Sequence, residues 1–311
     1  MAVTERVAIV GSGLIGRAWT IVFAGGGCDV ALYDPAPGVA DKARELVAEG
    51  LQELAAQGPV AEGKTAAARV RVANSLADSL AGATFVQECG PETVEAKLAI
   101  FTELDRLAAP DAILASSTST IVASRFTEQL TGRQRCLVAH PVNPPHLVPL
   151  VELVAAPWTA PATVAKAKAI YQAVGQVPIV VNREIEGFIL NRLQAVLLSE
   201  AFRLVEAGYV SPQDLDHTLK NGLGLRWSFM GPFETIELNA PGGIPDYCRR
   251  YGESLARLSA ADPGIYRAPQ VDPVLAQWGR QPTADEIAIR MRWRDRRLAA
   301  LKAHQRAQSS T

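Results

Sequence analysis

The chain has 311 residues, 20% of them charged, with a formal net charge of −1 at pH 7. That length exceeds what a single hydrophobic core usually serves, so two domains are expected. The balanced charge removes the electrostatic case for a nucleic-acid or anionic-membrane partner.

The chain opens with Glu5 and Arg6 ahead of a four-residue apolar run. That run is too short for a signal peptide, and no later stretch is long and apolar enough to span a bilayer. Cys28, Cys89, Cys136 and Cys248 are scattered without CxxC spacing. Neither a disulfide framework nor a metal site is indicated, and a soluble protein with reduced thiols in the cytoplasm is expected.

Residues 6–10 read as a β-branched strand running into Gly11-Ser12-Gly13-Leu14-Ile15-Gly16, followed by helical pattern from Arg17 to Phe23. Strand, glycine turn and helix in that order suit a dinucleotide. Gly11 permits the tight turn, Gly13 lets the backbone approach a pyrophosphate, and Gly16 allows close helix–strand packing. Leu14 and Ile15 then stand at the helix N-terminus, where the phosphate charge is received. A second strand, 29–33, ends at Asp34, eighteen residues past Gly16. A carboxylate there accepts hydrogen bonds from the adenine ribose and repels a 2′-phosphate, and Pro35-Ala36-Pro37 offers no arginine to hold one. The reading favours NAD over NADP.

Further strands are expected at 83–88 and 112–115, each followed by turn chemistry and helical pattern, as in a doubly wound sheet. Pro91 can open a helix carrying Glu92 and Lys97; a solvated helix start is the alternative. The run Ser116-Ser117-Thr118-Ser119-Thr120 follows the next strand, and its hydroxyls can serve as caps or as ligands.

Residues 136–140 and 147–154 read as strands with Pro141, Pro144 and Pro145 between them. Paired antiparallel about a loop near residue 146, they set His140 opposite Glu152, with Cβ atoms roughly 5 Å apart. A carboxylate on one ring nitrogen leaves the other as a general base. Taken alone, the segment is better read as a satisfied structural histidine; the rest of the chain alters that reading.

From about residue 185 the pattern is helical. A helix is expected over 187–205 with Asn191 on it, and Ser211-Pro212 starts another. Arg226 stands in a glycine-rich segment read as a turn. Thr283 and Glu286 have capping-box spacing ahead of a last helix. Its Arg290, Arg292, Arg294, Arg296 and Arg297 read as a solvated or salt-bridged face rather than a nucleic-acid site.

The motifs GSGLIG, QECGPETVEAK, SSTST, AHPVNPPHLVPLVE and EGFILNR, in that order, resemble the 3-hydroxyacyl-CoA dehydrogenase superfamily. Asn221 to Trp227 with Gly231 to Thr235 look like its lambda-crystallin and L-gulonate 3-dehydrogenase branch. The resemblance implies a Rossmann-type doubly wound α/β domain over 1–184, followed by an all-helical substrate and dimerisation domain over 185–311. It implies a catalytic set of Ser119, His140, Glu152 and Asn191. His140 takes the hydroxyl proton, Glu152 holds the imidazole, and Ser119 and Asn191 bind the reacting oxygen. Glu92 and Lys97 match positions that contact the cofactor near its nicotinamide ribose. Arg226 matters for the substrate. A free acid calls for a fixed guanidinium where a thioester does not, although a structural ion pair or helix cap explains the residue equally well from its surroundings. Together these imply an NAD-linked oxidation of a free 3-hydroxy acid by a homodimer. The alternatives are a 3-hydroxyacyl-CoA or carnitine substrate, or an NAD(H)-binding structural protein.

Overall fold

A computed structural model describes residues 5–58, 60–228, 230–241, 243–258 and 284–308. The strands β1 (Arg6–Val10), β2 (Asp29–Tyr33), β3 (Val70–Val72), β4 (Phe85–Glu88), β5 (Ile113–Ser116), β6 (Cys136–Pro141), β7 (Leu150–Ala155) and β8 (Val177–Val181) form one sheet. Their order is β3-β2-β1-β4-β5-β6-β7-β8. All neighbours are parallel except β6 and β7.

The connections explain this pattern. Helices α1 (Leu14–Gly25), between β1 and β2, and α5 (Val94–Leu107), between β4 and β5, are long enough to return the chain for a parallel strand. The proline-rich segment 142–149 between β6 and β7 is not, so that pair is antiparallel. Side chains of β1 alternate between two apolar cores: Val7 and Ile9 join one, Ala8 and Val10 the other. Strands buried on both faces read as continuous apolar runs, and this is why the sheet is visible in the sequence. Two strands are not. β3 has three residues, and β8 carries Pro178, which only an edge strand tolerates without losing a ladder bond.

Chain order reverses between β1 and β4, which opens a crevice at the carboxyl ends of these strands. The residues through Asn191, together with those from Ala288 onward, form one compact unit, and Arg192–Ile287 forms a second. The sequence pattern put the boundary at 184/185. By compactness it falls after Asn191, and the C-terminal helix (Ala284–Gln308) returns to the first unit, where Ala299 joins a core. Arg292, Arg296 and Arg297 on that helix are exposed, as a solvated face requires, with Arg297 lying over Trp293. Thr283, expected to cap the helix, lies outside the described residues.

The second unit, among the described residues, is helical throughout. No described helix is long and apolar enough to cross a membrane, and no described cluster of His, Cys, Asp and Glu could hold a metal ion.

Candidate active site

The antiparallel register of β6 and β7 places His140 opposite Glu152, the pairing expected from the sequence. His140 Nδ1 lies 2.8 Å from Glu152 Oε2, and both side chains are buried. The other carboxylate oxygen, Oε1, accepts the backbone N–H groups of Ile189 and Leu190 at 2.8 and 3.1 Å. These open helix α8 (Leu190–Glu206), so Glu152 also satisfies donors that a helix start leaves unpaired. Burial raises the Glu152 pKa, but the bonds from His140, Ile189 and Leu190 outweigh it and hold the carboxyl below its ordinary range. The stabilisation from this depressed pKa is therefore present above the unfolded carboxyl value and is lost as pH falls through the folded one. At neutral pH the acceptor-only carboxylate accepts a hydrogen bond from Nδ1–H, which leaves Nε2 as the base.

Ser119 lies beyond β5 on a loop gripped from two sides. Glu92 Oε1 accepts from Thr118 Oγ1 at 2.6 Å, from Ser119 N at 2.8 Å and from Thr120 N at 3.2 Å. Asn191 Nδ2 donates to the Ser119 carbonyl at 2.8 Å. This uses one of the two amide protons of Asn191. The Ser119 hydroxyl has no hydrogen-bond partner among the described residues, and the residue is exposed. Glu92 is not on a helix opened by Pro91. Helix α5 starts at Val94, because Thr93 is the better cap and its Oγ1 accepts from Ala96 N. Pro91 and Glu92 are thereby left in the preceding bend.

Lys97 is paired within the chain. It is 1% exposed, and its ammonium meets Glu88 Oε1 at 2.8 Å, Glu88 Oε2 at 2.9 Å and the Gly90 carbonyl at 3.2 Å. An ammonium has three protons, and these contacts occupy them. Glu88, itself fully buried, ends β4 and also accepts from Ser116 Oγ and Gly90 N. It is not among the residues the sequence pattern singles out. The available signal was an acidic residue ending a strand that is otherwise apolar on both sides, since a carboxylate there needs a counter-charge nearby.

The glycine turn divides into two kinds of position. A Cβ at Gly11, where φ is +98°, would lie 2.7 Å from the Cys89 carbonyl, and one at Gly16 would lie 1.9 Å from the Gly11 carbonyl. The fold itself requires both glycines. At Gly13 a Cβ would meet no atom of this chain within 4 Å. Glycine there keeps the approach to the α1 N-terminus clear, where the N–H groups of Leu14 and Ile15 lack intrahelical acceptors. Asp34 Oδ2 accepts from Ser12 N at 2.7 Å and Oδ1 from Ala36 N at 3.0 Å, which fixes the carboxylate beside the turn. An open cleft of about 500 Å³ runs from Ser12 and Gly13 past Arg17 to Gly38 and Lys42. These features fit a dinucleotide: a clear helix start for the pyrophosphate and a fixed acceptor for a ribose. Burial pushes the Cys89 and Cys136 thiols up to about 12, so neither competes with the imidazole as a base or nucleophile.

Residues 6–185 match the 3-hydroxyacyl-CoA dehydrogenase NAD-binding domain, and residues 187–286 match the C-terminal domain of the same enzymes. The chain belongs to the 3-hydroxyacyl-CoA dehydrogenase family. Lambda-crystallin of Oryctolagus cuniculus is 41% identical over 97% of this chain and 98% of that protein. L-carnitine dehydrogenase of Pseudomonas putida is 36% identical over 96% of this chain and 92% of its own. Among solved structures, an NAD+-dependent 5-formyl-3-hydroxy-2-methylpyridine 4-carboxylic acid 5-dehydrogenase is similar at a TM-score of 0.84 and 28% identity, covering 96% of this chain and 98% of that one. This 3-hydroxyacyl-CoA dehydrogenase family member is an NAD-dependent oxidoreductase, and the turn at Gly11–Gly16 with Asp34 suits that cofactor.

In the second unit of this family member, Ser211 caps α9 (Pro212–Thr218) by accepting from Asp214 N. The chain then passes through a π turn (Leu219–Leu223) into α10 (Gly224–Trp227). Arg226 is therefore helical, not in a glycine-rich turn. Glycines 222 and 224 are absorbed by the widened turn, and at Gly224 a Cβ would lie 2.8 Å from the Leu219 carbonyl. π turns within helices recur at functional sites. The Arg226 guanidinium is exposed and has no hydrogen-bond or ion-pair partner among the described residues.

Proposed function

We propose that this protein oxidises the 3-hydroxyl of a free 3-hydroxy acid of the L-gulonate type to the 3-oxo acid. The observation that carries the reading is the buried dyad, with Nδ1 of His140 committed to Glu152 and Nε2 left as base. NAD, when bound, supplies the acceptor for the hydride leaving C3. His140 Nε2 takes the hydroxyl proton, and the ionised Glu152 stabilises the imidazolium that forms. The Ser119 hydroxyl and the second amide proton of Asn191 are uncharged donors for the oxygen while it carries negative charge.

The free acid is favoured over a thioester by Arg226, whose guanidinium has no partner among the described residues and suits a carboxylate. The similarity to L-carnitine dehydrogenase supports the same class, since L-carnitine is a free 3-hydroxy acid. The thioester reading draws on a similar 3-hydroxyacyl-CoA dehydrogenase of Gibberella moniliformis, 34% identical over 96% of this chain. The two readings separate in the kinetics of Arg226→Ala. A charge-assisted bond contributes about 1.5–3 kcal/mol, so KM for the acid rises about tenfold or more while kcat changes little. An unchanged KM for the acid rules Arg226 out as its anchor.

We also assign residues 1–184 to cofactor binding and 185–311, apart from the C-terminal helix that belongs to the first unit, to substrate binding and homodimer formation. Leu193 and Val196 on α8 are 66% and 72% exposed, and Leu255 and Leu258 on α12 (Gly243–Leu258) are exposed as well. Apolar stripes of this kind are commonly covered by a second chain. The four free thiols, Cys248 exposed among them, suit a reducing cytoplasm.

A further inference from the structure

The sequence pattern runs a helix through Gly187, but there the chain turns. Gly187 (φ +74°) and Phe188 (φ +49°) both occupy the left-handed region just before α8. Glycine adopts it freely. For phenylalanine it is strained, and Phe188 is the one non-glycine residue with positive φ among the described residues. Such strain persists only where surrounding contacts hold it, and it concentrates at functional sites.

The contacts that radiate from this turn reach the dyad. The Phe188 ring is fully buried and lies against the His140 imidazole, with centroids 5.3 Å apart and planes at 48°. Its own N–H is taken by the Ile185 carbonyl at 3.1 Å. The next two N–H groups, of Ile189 and Leu190, converge on Glu152 Oε1, while Glu152 Oε2 holds His140 Nδ1. Asn191 follows at once and donates to the Ser119 carbonyl. An ordinary helical residue at position 188 would send the chain into α8 in another direction.

We propose that Phe188 is a positioning residue for the His140–Glu152 dyad. Its left-handed backbone aims two N–H groups at Glu152, and its ring fixes the plane of the imidazole and keeps water from that face. The two N–H groups stabilise the carboxylate, so the proton stays on Nδ1. The ring matters because the terminal torsion of histidine has a broad minimum, and packing must choose the angle.

The test is Phe188→Gly, because glycine keeps the left-handed backbone without strain and removes only the ring. The kinetic arm rests on the proposed dehydrogenase reaction; the spectroscopic arm does not. In the wild-type protein the hydrogen-bonded Nδ1 proton of His140 gives a slowly exchanging downfield resonance, and in Phe188→Gly it is broadened or lost as water reaches the ring. Turnover falls about tenfold to a hundredfold, the usual size of a small misplacement of a reacting group, with KM for NAD unchanged. Phe188→Leu, which retains most of the apolar volume, falls between the two; it also serves if the glycine variant does not fold. An unaltered Nδ1 resonance in a folded variant overturns the proposal and leaves Phe188 as core filling. A resonance lost in Phe188→Gly, when the wild-type protein itself is inactive on every 3-hydroxy acid, sinks the dehydrogenase reading while the positioning role stands.

Discussion

His140→Gln lowers kcat by about a thousandfold, within the range of roughly 10²–10⁴ for loss of a general base, while Kd for NADH stays within about twofold of wild type. Glutamine cannot take the hydroxyl proton, but its amide can donate to Glu152 Oε2, so the buried carboxylate keeps a partner and the fold is retained. The proposed cofactor contacts at Gly13 and Asp34 lie beyond the ends of β1 and β2, away from β6, and are untouched. The same geometry fixes the sign of the pH response. Glu152 is held below the ordinary carboxyl range and stays ionised through mildly acid pH. Activity lost on mild acidification therefore does not arise from protonation of Glu152. Steady-state kinetics and NADH titration of the variant check this. A loss of NADH binding as large as the loss of turnover identifies His140 as structural instead.

Lys97→Met is the second large effect, and it falls on stability. Removing one member of a fully buried ion pair costs about 3–5 kcal/mol, because the remaining charge is stranded. Glu88 retains Ser116 Oγ and Gly90 N, but no cation. The double variant Glu88→Gln/Lys97→Met removes the stranded charge and recovers most of the loss. Urea denaturation of the three proteins reads this directly. Cofactor affinity falls as a secondary effect, since the Gly90 carbonyl bonded by Lys97 adjoins Cys89, whose carbonyl lies against Gly11. If Lys97→Met is as stable as wild type but binds NADH poorly, Lys97 reaches the cofactor itself, as the sequence motif suggests.

Much of the sheet could be read from the chain because its strands are buried on both faces and end in recognisable turn chemistry. The pairing of His140 with Glu152 was legible for a further reason: the prolines leave only a short return between two apolar runs, and a short return forces an antiparallel register. Features that depend on remote partners were not legible. Lys97 looks like a solvated or ligand-facing lysine until Glu88 is known to lie beneath it. Glu92 suggests a helix start, yet its carboxylate reaches across to the Ser119 loop. The left-handed turn at Phe188 is hidden because the apolar spacing of EGFILNR suits a helix, and tertiary contacts with His140 and Glu152 override it. In the second unit the glycines around Arg226 suggest a turn, where a widened helix accommodates them.

The central claim is that this dyad serves the NAD-linked oxidation of a free 3-hydroxy acid. It is tested most directly by following NADH formation with NAD, and then NADPH formation with NADP, against L-gulonate, L-carnitine and 3-hydroxybutyryl-CoA. The account predicts NADH from a free acid at a higher kcat/KM than from the thioester, a weaker response with NADP, and a turnover about a thousandfold lower with His140→Gln. Preference for the thioester contradicts the substrate assignment, and no NADH from any 3-hydroxy acid contradicts the reaction itself.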